Sequence, residues 1–102
     1  MRTWKDKTEF KAEVHSWADK IKVEVKSLAL RPMSNKWASC STKGNLNFND
    51  ELLKMDKALG TYVIVHELLH FHYPNHGPVW KSMMSHYLGE YEKLERKLKE
   101  SR

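Results

Sequence analysis

The stretch from Val63 to His70 constrains this chain more than any other, because it contains the pattern H-E-x-x-H. If the stretch is helical, His66 and His70 lie one turn apart on the same face of the helix. Neutral imidazoles at that spacing can bind one Zn²⁺ from the same side. Glu67 follows His66 by about 100° of helical rotation, which places its carboxylate beside the ion without making it a ligand. From there the carboxylate can accept a proton from the zinc-bound water and pass it to a leaving amine.

The surroundings of the motif favour a metal site over a chance match. Most chance matches to so short a pattern lie on polar, exposed helices. Here the apolar run Tyr62-Val63-Ile64-Val65 precedes the motif, and Leu68 and Leu69 fill its variable positions. Apolar residues therefore lie around nearly the whole helix, which predicts that the helix is buried. Buried imidazole and carboxylate groups need polar partners, and a zinc ion is the simplest partner for this set.

At 102 residues the chain is expected to form a single domain, residues 1–102, with a modest core. Its one cysteine, Cys40, excludes an intramolecular disulfide, indicates a reducing compartment and is expected to be a small buried residue. No apolar run approaches the roughly 20 residues of a membrane span, and the charged start lacks a signal-peptide pattern. We therefore expect a cytoplasmic protein without a membrane partner. The net charge of +5 serves solubility in most small domains, so no nucleic-acid partner is expected.

The first half of the chain predicts one helix followed by three strands. Residues 3–20 show the helical spacing of apolar side chains, and this helix is expected to cover a sheet. Residues 21–30 alternate as a strand, with a shift of phase that suggests a bulge. Residues 36–49 predict a hairpin with Lys43-Gly44 at its turn, because glycine can adopt positive φ.

The second half predicts helices around and after the motif. Asp56 is expected to cap a central helix from Lys57 to Phe71. Pro78 suits the first position of a further helix. The apolar spacing of that helix continues past Gly89, where a kink is expected. The tail from residue 90 to residue 102 is highly charged and is expected to fray.

A catalytic zinc usually has three protein ligands and one open position, so the motif needs a third ligand. His76 lies ten residues after His66, the spacing of H-E-x-x-H-x-x-G-x-x-H, in which the chain turns back to present a third imidazole. Tyr73 replaces the glycine of that pattern, and Pro74-Asn75 provides the turn instead. Glu90 is the alternative, because thermolysin-like enzymes take a glutamate ligand from a later helix. The sequence favours His76 and leaves Glu90 open.

Several segments together give the chain a family resemblance. They are Trp37-Ala38-Ser39-Cys40-Ser41, Lys43-Gly44-Asn45, the metal motif, Asn75-His76-Gly77-Pro78 and Trp80. In this order and spacing they resemble the YgjP-like metal-dependent hydrolases and the short metallopeptidases called minigluzincins. The resemblance implies that His76 is the third zinc ligand and that Glu67 is the general base or acid. It also implies a small twisted sheet packed on an N-terminal helix and the active-site helix, with further helices below. Ala38 departs from the YgjP-like pattern, in which glycine is usual at that position.

These observations favour an α+β zinc metallopeptidase with a small twisted, mainly antiparallel sheet, an N-terminal helix, a central motif helix and C-terminal helices. One Zn²⁺ per chain is expected on His66, His70 and His76, with Glu67 moving the proton during hydrolysis of a peptide or protein substrate. An edge strand of the hairpin is expected to hold the extended peptide. Two alternatives stay open. The same site can hydrolyse a nucleotide phosphate, as some relatives are assigned to do, or the chain is a zinc-stabilised binding module without catalysis.

The tail from Glu90 to Arg102 has an apolar edge on an otherwise charged stretch, formed by Tyr91, Leu94 and Leu98. One interpretation is a solvated helix packed along the side of the domain. The other is a segment that covers the cleft, in its own molecule or by self-association, and keeps the enzyme latent as a zymogen. The resemblance to minigluzincins implies the second, because C-terminal segments block the cleft in that family. The candidates to approach the open position on the zinc are then Glu92, Glu95 and Glu100.

Overall fold

A computed structural model describes residues 2–101 as four helices and a three-stranded sheet. In chain order these elements are α1 (Lys7–Ile21), β1 (Ser27–Arg31), β2 (Ala38–Cys40), β3 (Asn45–Asn49), a 3₁₀ helix (Asp50–Lys54), α2 (Lys57–Leu69), α3 (Pro78–Leu88) and α4 (Tyr91–Glu100). No helix among the described residues is long and apolar enough to cross a membrane.

The sheet has the strand order β1-β3-β2 and is mixed rather than mainly antiparallel. β2 and β3 form the expected hairpin, in which Gly44 adopts a φ of 99° at the turn. The chain passes from β1 to the far edge before it returns along β3, so β3 lies parallel to β1 in the centre of the sheet. The α+β class is therefore confirmed, and β2 is left as an edge strand.

The first strand begins later than its alternating pattern predicts. Ile21 is the last residue of α1 and is buried in the core. Lys22 then takes a left-handed conformation, φ 67° and ψ 50°, which ends the helix. The chain reaches the sheet only at Ser27, so the expected strand over residues 21–26 is wrong. A C-terminal cap formed by lysine rather than by glycine gave no signal in the sequence.

The helix α1 covers the sheet through the face that its periodicity predicts. Phe10, Val14, Ala18 and Ile21 are buried, and the rings of Phe10 and Phe48 meet edge to face at 5.2 Å between centroids. Burying an aromatic or aliphatic side chain of this size stabilises a fold by about 1.5–3 kcal/mol. This contact therefore fixes α1 on one face of β3.

The central helix α2 is buried on nearly every side, as its composition predicts. The side chain of Asp56 accepts a hydrogen bond from the Ala58 amide at 3.2 Å and caps the helix as expected. The buried residues of the helix include Ile64, Val65 and Leu68, which have no exposed surface. This burial holds the motif on a rigid element between α1, α3 and α4.

The C-terminal part of the chain forms two helices rather than one kinked helix with a frayed tail. Gly89 adopts a φ of 67° and ends α3, so α4 leaves in a new direction. α4 is ordered through Glu100 because Tyr91 and Leu98 are buried against the rest of the domain. Most of its charged residues are exposed on the opposite face, as in an amphipathic surface helix, whereas Glu95 is half-buried.

Candidate metal centre

The helix α2 places His66 and His70 on one face, one turn apart. Their ring centroids are 4.8 Å from each other, and both side chains are half-buried. The apolar residues on the other faces of the helix anchor it in the core. The two imidazoles of the motif are therefore held on a fixed backbone, as the helical spacing predicts.

His76 returns to this face through the turn that follows α2. Its Nε2 atom lies 2.8 Å from Nε2 of His70, and its ring centroid lies 5.0 Å from that of His66. Among the described residues, one group of metal-binding side chains has its donor atoms all within 4.8 Å, and it consists of His66, His70 and His76. The sequence-predicted set is thus brought together, and these imidazoles can hold a metal ion.

Glu90 lies outside this histidine group. Its carboxylate pairs with the ammonium of Lys93 at 2.7 Å, and its side chain is 76% exposed. It occupies the position before α4, at the point where the chain leaves α3. Glu90 therefore serves as a surface residue at the start of a helix, where a negative charge is favourable.

A backbone carbonyl orients the imidazole of His70. Nδ1 of His70 lies 3.2 Å from the carbonyl oxygen of Tyr73. Since that oxygen can only accept a hydrogen bond, Nδ1 carries the proton and Nε2 keeps its lone pair. This is the arrangement in which a histidine commonly binds a metal through Nε2. Tyr73, which stands at the glycine position of the longer motif, thus also determines which nitrogen of His70 carries the proton.

Trp80 packs against all three imidazoles. Its ring centroid lies 5.1 Å from His66, 5.8 Å from His70 and 4.4 Å from His76, and its side chain is buried. A rigid aromatic wall of this kind limits the rotation of the imidazoles that it contacts. The contact with the histidines arises from the tertiary fold, which brings α3 against α2.

The surroundings of the histidines keep His76 neutral. Removal of water from part of its ring lowers the pKa of His76 below its ordinary value, and the neighbouring His66 and His70 lower it further. The negative charges of Glu95 and Glu67 oppose this shift but do not reverse it. A neutral imidazole is the form that binds a metal, so the site is prepared for an ion at neutral pH.

Glu67 lies beside the histidine group and faces a cleft. Its carboxylate is 3.6 Å from Nδ1 of His66, and its side chain is 12% exposed. The cleft has a volume of about 410 Å³. It is lined by Lys36, Trp37, Ala38, Tyr62, Val63, His66, Glu67, His76, Glu95, Leu98 and Lys99. The motif helix thus forms the floor, the end of the hairpin forms one wall and α4 forms the other.

The wall on the hairpin side is the outer edge of β2. The Asn49 amide donates to the Trp37 carbonyl at 2.8 Å, and the Ser41 amide donates to the Asn45 carbonyl at 2.9 Å. Hydrogen-bonded pairs alternate in an antiparallel ladder, so the backbone groups of Ala38 and Cys40 point away from β3. These groups form an edge that can pair with another strand.

Cys40 differs from its expected role as a buried small residue. It is exposed on the edge strand. Partial desolvation raises the pKa of its thiol, and the negative charge of Glu67 raises it further. A thiol with a raised pKa is a poor nucleophile at neutral pH, which agrees with the expectation that Cys40 is not catalytic.

The wall on the C-terminal side contains a hydrogen bond that the sequence did not predict. The hydroxyl of Tyr62 donates to Oε2 of Glu95 at 3.1 Å. Burial raises the pKa of Tyr62, and the charge of Glu95 raises it further, so the hydroxyl keeps its proton. The spacing could have pointed to Tyr62, which precedes His66 by four residues and therefore shares its helix face. Glu95 was expected only as one of several candidates on the tail.

Comparisons with known proteins agree with this geometry. The family model of the YgjP-like metallopeptidase domain matches residues 2–101. The metallopeptidase zymogen jannalysin of Methanocaldococcus jannaschii is 27% identical, with a TM-score of 0.80 over 90% of this chain and 95% of that one. The abylysin zymogen of Pyrococcus abyssi has the same fold, with a TM-score of 0.75 and 16% identity over 87% of this chain and 90% of that one. A search of curated protein sequences gives no significant match. Because the family model spans nearly the whole chain, this protein belongs to the YgjP-like metallopeptidase family.

Proposed function

We propose that this chain is a zinc peptidase in which His66, His70 and His76 hold one Zn²⁺ and Glu67 is the general base. The observation that supports this best is the convergence of three imidazoles, two of which, His66 and His76, line an open cleft together with Glu67. The peptidase family is shown by the sequence match, whereas the identity of the ion and the role of each residue are our inference.

The donor set fits zinc better than a harder cation. Three imidazoles match the preference of Zn²⁺ for nitrogen ligands, whereas Mg²⁺ and Ca²⁺ prefer oxygen. With three protein ligands, a bound ion would keep a further position for water or substrate. This is the pattern of a catalytic rather than a structural zinc site, because structural sites are closed by four protein ligands.

The reaction is hydrolysis of a peptide bond with Glu67 as the proton carrier. Zinc, when it is bound, polarises the scissile carbonyl and acidifies a water molecule. Glu67 accepts one proton from the water as the water oxygen bonds to the carbonyl carbon. The carboxyl group of Glu67 then donates that proton to the leaving nitrogen as the carbon–nitrogen bond breaks. The products are a carboxylic acid and an amine, and Glu67 is again a carboxylate.

The substrate binds as an added strand along β2. The backbone groups of Ala38 and Cys40 point into the space that an extended peptide needs. Ala38 also lines the cleft, so a peptide paired there passes over the floor of α2. Backbone pairing holds a peptide with little regard to its side chains, so this wall supports a peptidase of broad sequence range.

The C-terminal helix keeps the chain latent by narrowing the cleft within the same molecule. Glu95, Leu98 and Lys99 of α4 line the cleft opposite β2, whereas Glu92 and Glu100 are exposed and do not line it. Two solved structures with this fold, those of jannalysin and abylysin, are described as zymogens. Since α4 packs on its own α2, the proposed latency needs no second copy of the chain.

The proposal is tested by separating metal binding from catalysis. Glu67→Gln removes the base but no proposed ligand, so we expect it to keep about one Zn²⁺ per chain and to lose hydrolysis of casein. Glu51→Gln is the matched control, because Glu51 is exposed on the 3₁₀ helix outside the cleft. Zinc is measured by elemental analysis after purification without chelators. Unchanged hydrolysis in the Glu67→Gln chain would show that the assignment of the base is wrong.

A further inference from the structure

Tyr62 lies on the same face of α2 as the histidines of the motif. It precedes His66 by one turn and His70 by two, and the ring centroids of Tyr62 and His66 are 5.7 Å apart. The side chain of Tyr62 is only 4% exposed, so its ring is fixed by packing. It nevertheless lines the cleft together with His66 and Glu67. The chain thus places a rigid hydroxyl donor within the proposed catalytic site.

The partner of this hydroxyl is an anionic oxygen in the same cleft. Tyr62 donates to Oε2 of Glu95 at 3.1 Å, and Glu95 lines the cleft with His76. A carboxylate is also the group that peptide hydrolysis creates. The contact therefore shows how Tyr62 can hold a negatively charged oxygen beside the histidine group.

We propose that Tyr62 is a further catalytic residue, which donates a hydrogen bond to the oxyanion that forms on the substrate. In the absence of substrate, Glu95 accepts the hydrogen bond from Tyr62 instead. The inference rests on the peptidase function proposed above. When water adds to the scissile carbonyl, the electron pair of the carbon–oxygen double bond moves to the carbonyl oxygen. Glu67 takes the proton of the water, and Tyr62 keeps its own proton and shares it in a hydrogen bond. The substrate and Glu95 compete for the same hydroxyl.

The environment of Tyr62 suits a donor that is never a base. Its ring is buried, and its hydroxyl donates a hydrogen bond to Glu95. A tyrosine hydroxyl is protonated throughout the neutral range. A donor fixed in advance costs little reorganisation when charge develops on the oxygen that it faces. Loss of one such donor lowers kcat by about 10²–10³-fold in enzymes where it has been removed.

A purely structural role for Tyr62 predicts a different outcome. In that case the hydroxyl only holds α4 on α2 through its hydrogen bond, and Tyr62→Phe changes the free energy of unfolding and the packing of α4 on α2. The oxyanion role predicts that Tyr62→Phe acts on the transition state even when Glu95 is absent. The Glu95→Ala background separates the two roles, because it removes the hydrogen bond between Tyr62 and Glu95 and leaves the hydroxyl of Tyr62 in place.

The experiment compares full-length, zinc-loaded chains that carry Tyr62→Phe, Glu95→Ala or both. One readout is the kinetics of casein hydrolysis, and the other is calorimetric binding of a blocked phosphinic pseudopeptide, whose tetrahedral anion resembles the transition state. We expect Glu95→Ala to raise both activity and affinity. In that background Tyr62→Phe should lower kcat and phosphinate affinity by about 10²-fold each, with KM nearly unchanged. Tyr87→Phe is the control, because Tyr87 contacts Trp17 near the C-terminal end of α3 and does not line the cleft.

Each other outcome counts against a specific statement. If the double variant matches Glu95→Ala in kcat and phosphinate affinity, Tyr62 is not catalytic, even where its melting temperature falls. If Glu95→Ala changes neither readout, Glu95 does not compete for the hydroxyl. Failure of the underlying peptidase function looks different, because then no chain that retains Glu67 hydrolyses casein or binds the phosphinate.

Discussion

Nε2 of His70 and Nε2 of His76 lie 2.8 Å apart, although a turn of the chain separates the two residues. The carbonyl of Tyr73 within that turn accepts from Nδ1 of His70, so the lone pair of His70 faces His76. The two nitrogens therefore face each other at hydrogen-bond distance. A metal ion can take the place of that hydrogen bond and bind both nitrogens, which is the physical basis of the proposed site.

The first prediction concerns the third ligand. His76→Ala should reduce zinc content from about one ion per chain to near zero after dialysis, because two imidazoles alone hold the ion weakly. Glu90→Ala should retain the ion, since the Glu90 carboxylate pairs with Lys93 and is exposed. Elemental analysis after identical dialysis provides the measurement. Loss of zinc from the Glu90→Ala chain alone would transfer the third-ligand role to Glu90.

The second prediction concerns the contact of α2 with the N-terminal segment. A Cβ added at Gly60 would lie 2.6 Å from Nε1 of Trp4, which is 6% exposed and cannot easily move. Gly60→Ala should therefore lower the free energy of unfolding by about 1–3 kcal/mol. The matched control is Gly77→Ser, because a Cβ at Gly77 meets no atom within 4 Å and serine suits the N-cap of α3. Denaturation by urea measures both chains, and equal midpoints would contradict the close contact.

How much the sequence could predict is clear from α2 and its neighbours. The apolar run, the cap at Asp56 and the spacing of His66 and His70 depend on residues close in sequence, and all of them appear in the structure as expected. The same local reasoning placed Lys43-Gly44 at the hairpin turn. These features follow from periodicity and from turn chemistry, which short windows of sequence contain.

The features that the sequence missed depend on residues distant in sequence. The hydrogen bond from Tyr62 to Glu95 joins positions 33 residues apart, and no periodicity links them. The contact of Trp80 with the imidazoles likewise depends on how α3 returns against α2. The mixed sheet arises from the path of the chain around β3, which strand patterns do not specify. Tertiary packing decided all of these.

The third prediction concerns pH and the metal-free chain. Desolvation first, and then His66 and His70, hold the pKa of His76 below its ordinary value in the folded state. The unfolded chain therefore binds a proton at pH values where folded His76 is still neutral. Folding stability should be complete above the unfolded-state pKa of about 6.5 and should fall as the pH drops below it.

Urea denaturation of the metal-free chain at about pH 7.5 and at about pH 5.5 tests this sign. His76→Ala should make the loss of stability towards low pH smaller, because it removes the group with the depressed pKa. His86→Ala is the control, since His86 is exposed on α3 and lies outside the metal group. If stability depends on pH in the same way in the wild type and in His76→Ala, the pKa of His76 is not lowered in the folded chain.

The last prediction concerns latency. A chain that ends at Gly89 lacks α4, so the wall formed by Glu95 and Leu98 is absent and the cleft is open on that side. It should hydrolyse casein faster than the full chain, provided that circular dichroism shows that it remains folded. Removal of α4 also exposes core surface, because Tyr91 and Leu98 are buried. A second variant is therefore needed that keeps the chain at full length.

Leu98→Asp serves as that variant. Leu98 is 6% exposed, and a carboxylate in its place cannot be buried without a large desolvation cost, so α4 should detach while the rest of the domain stays folded. Arg96→Asp is the matched control, because Arg96 lies on the exposed face of the same helix. We expect Leu98→Asp to raise casein hydrolysis and Arg96→Asp to leave it unchanged. If folded Leu98→Asp and the chain ending at Gly89 both hydrolyse casein no faster than the full chain, α4 is a structural wall of the cleft and does not keep the enzyme latent.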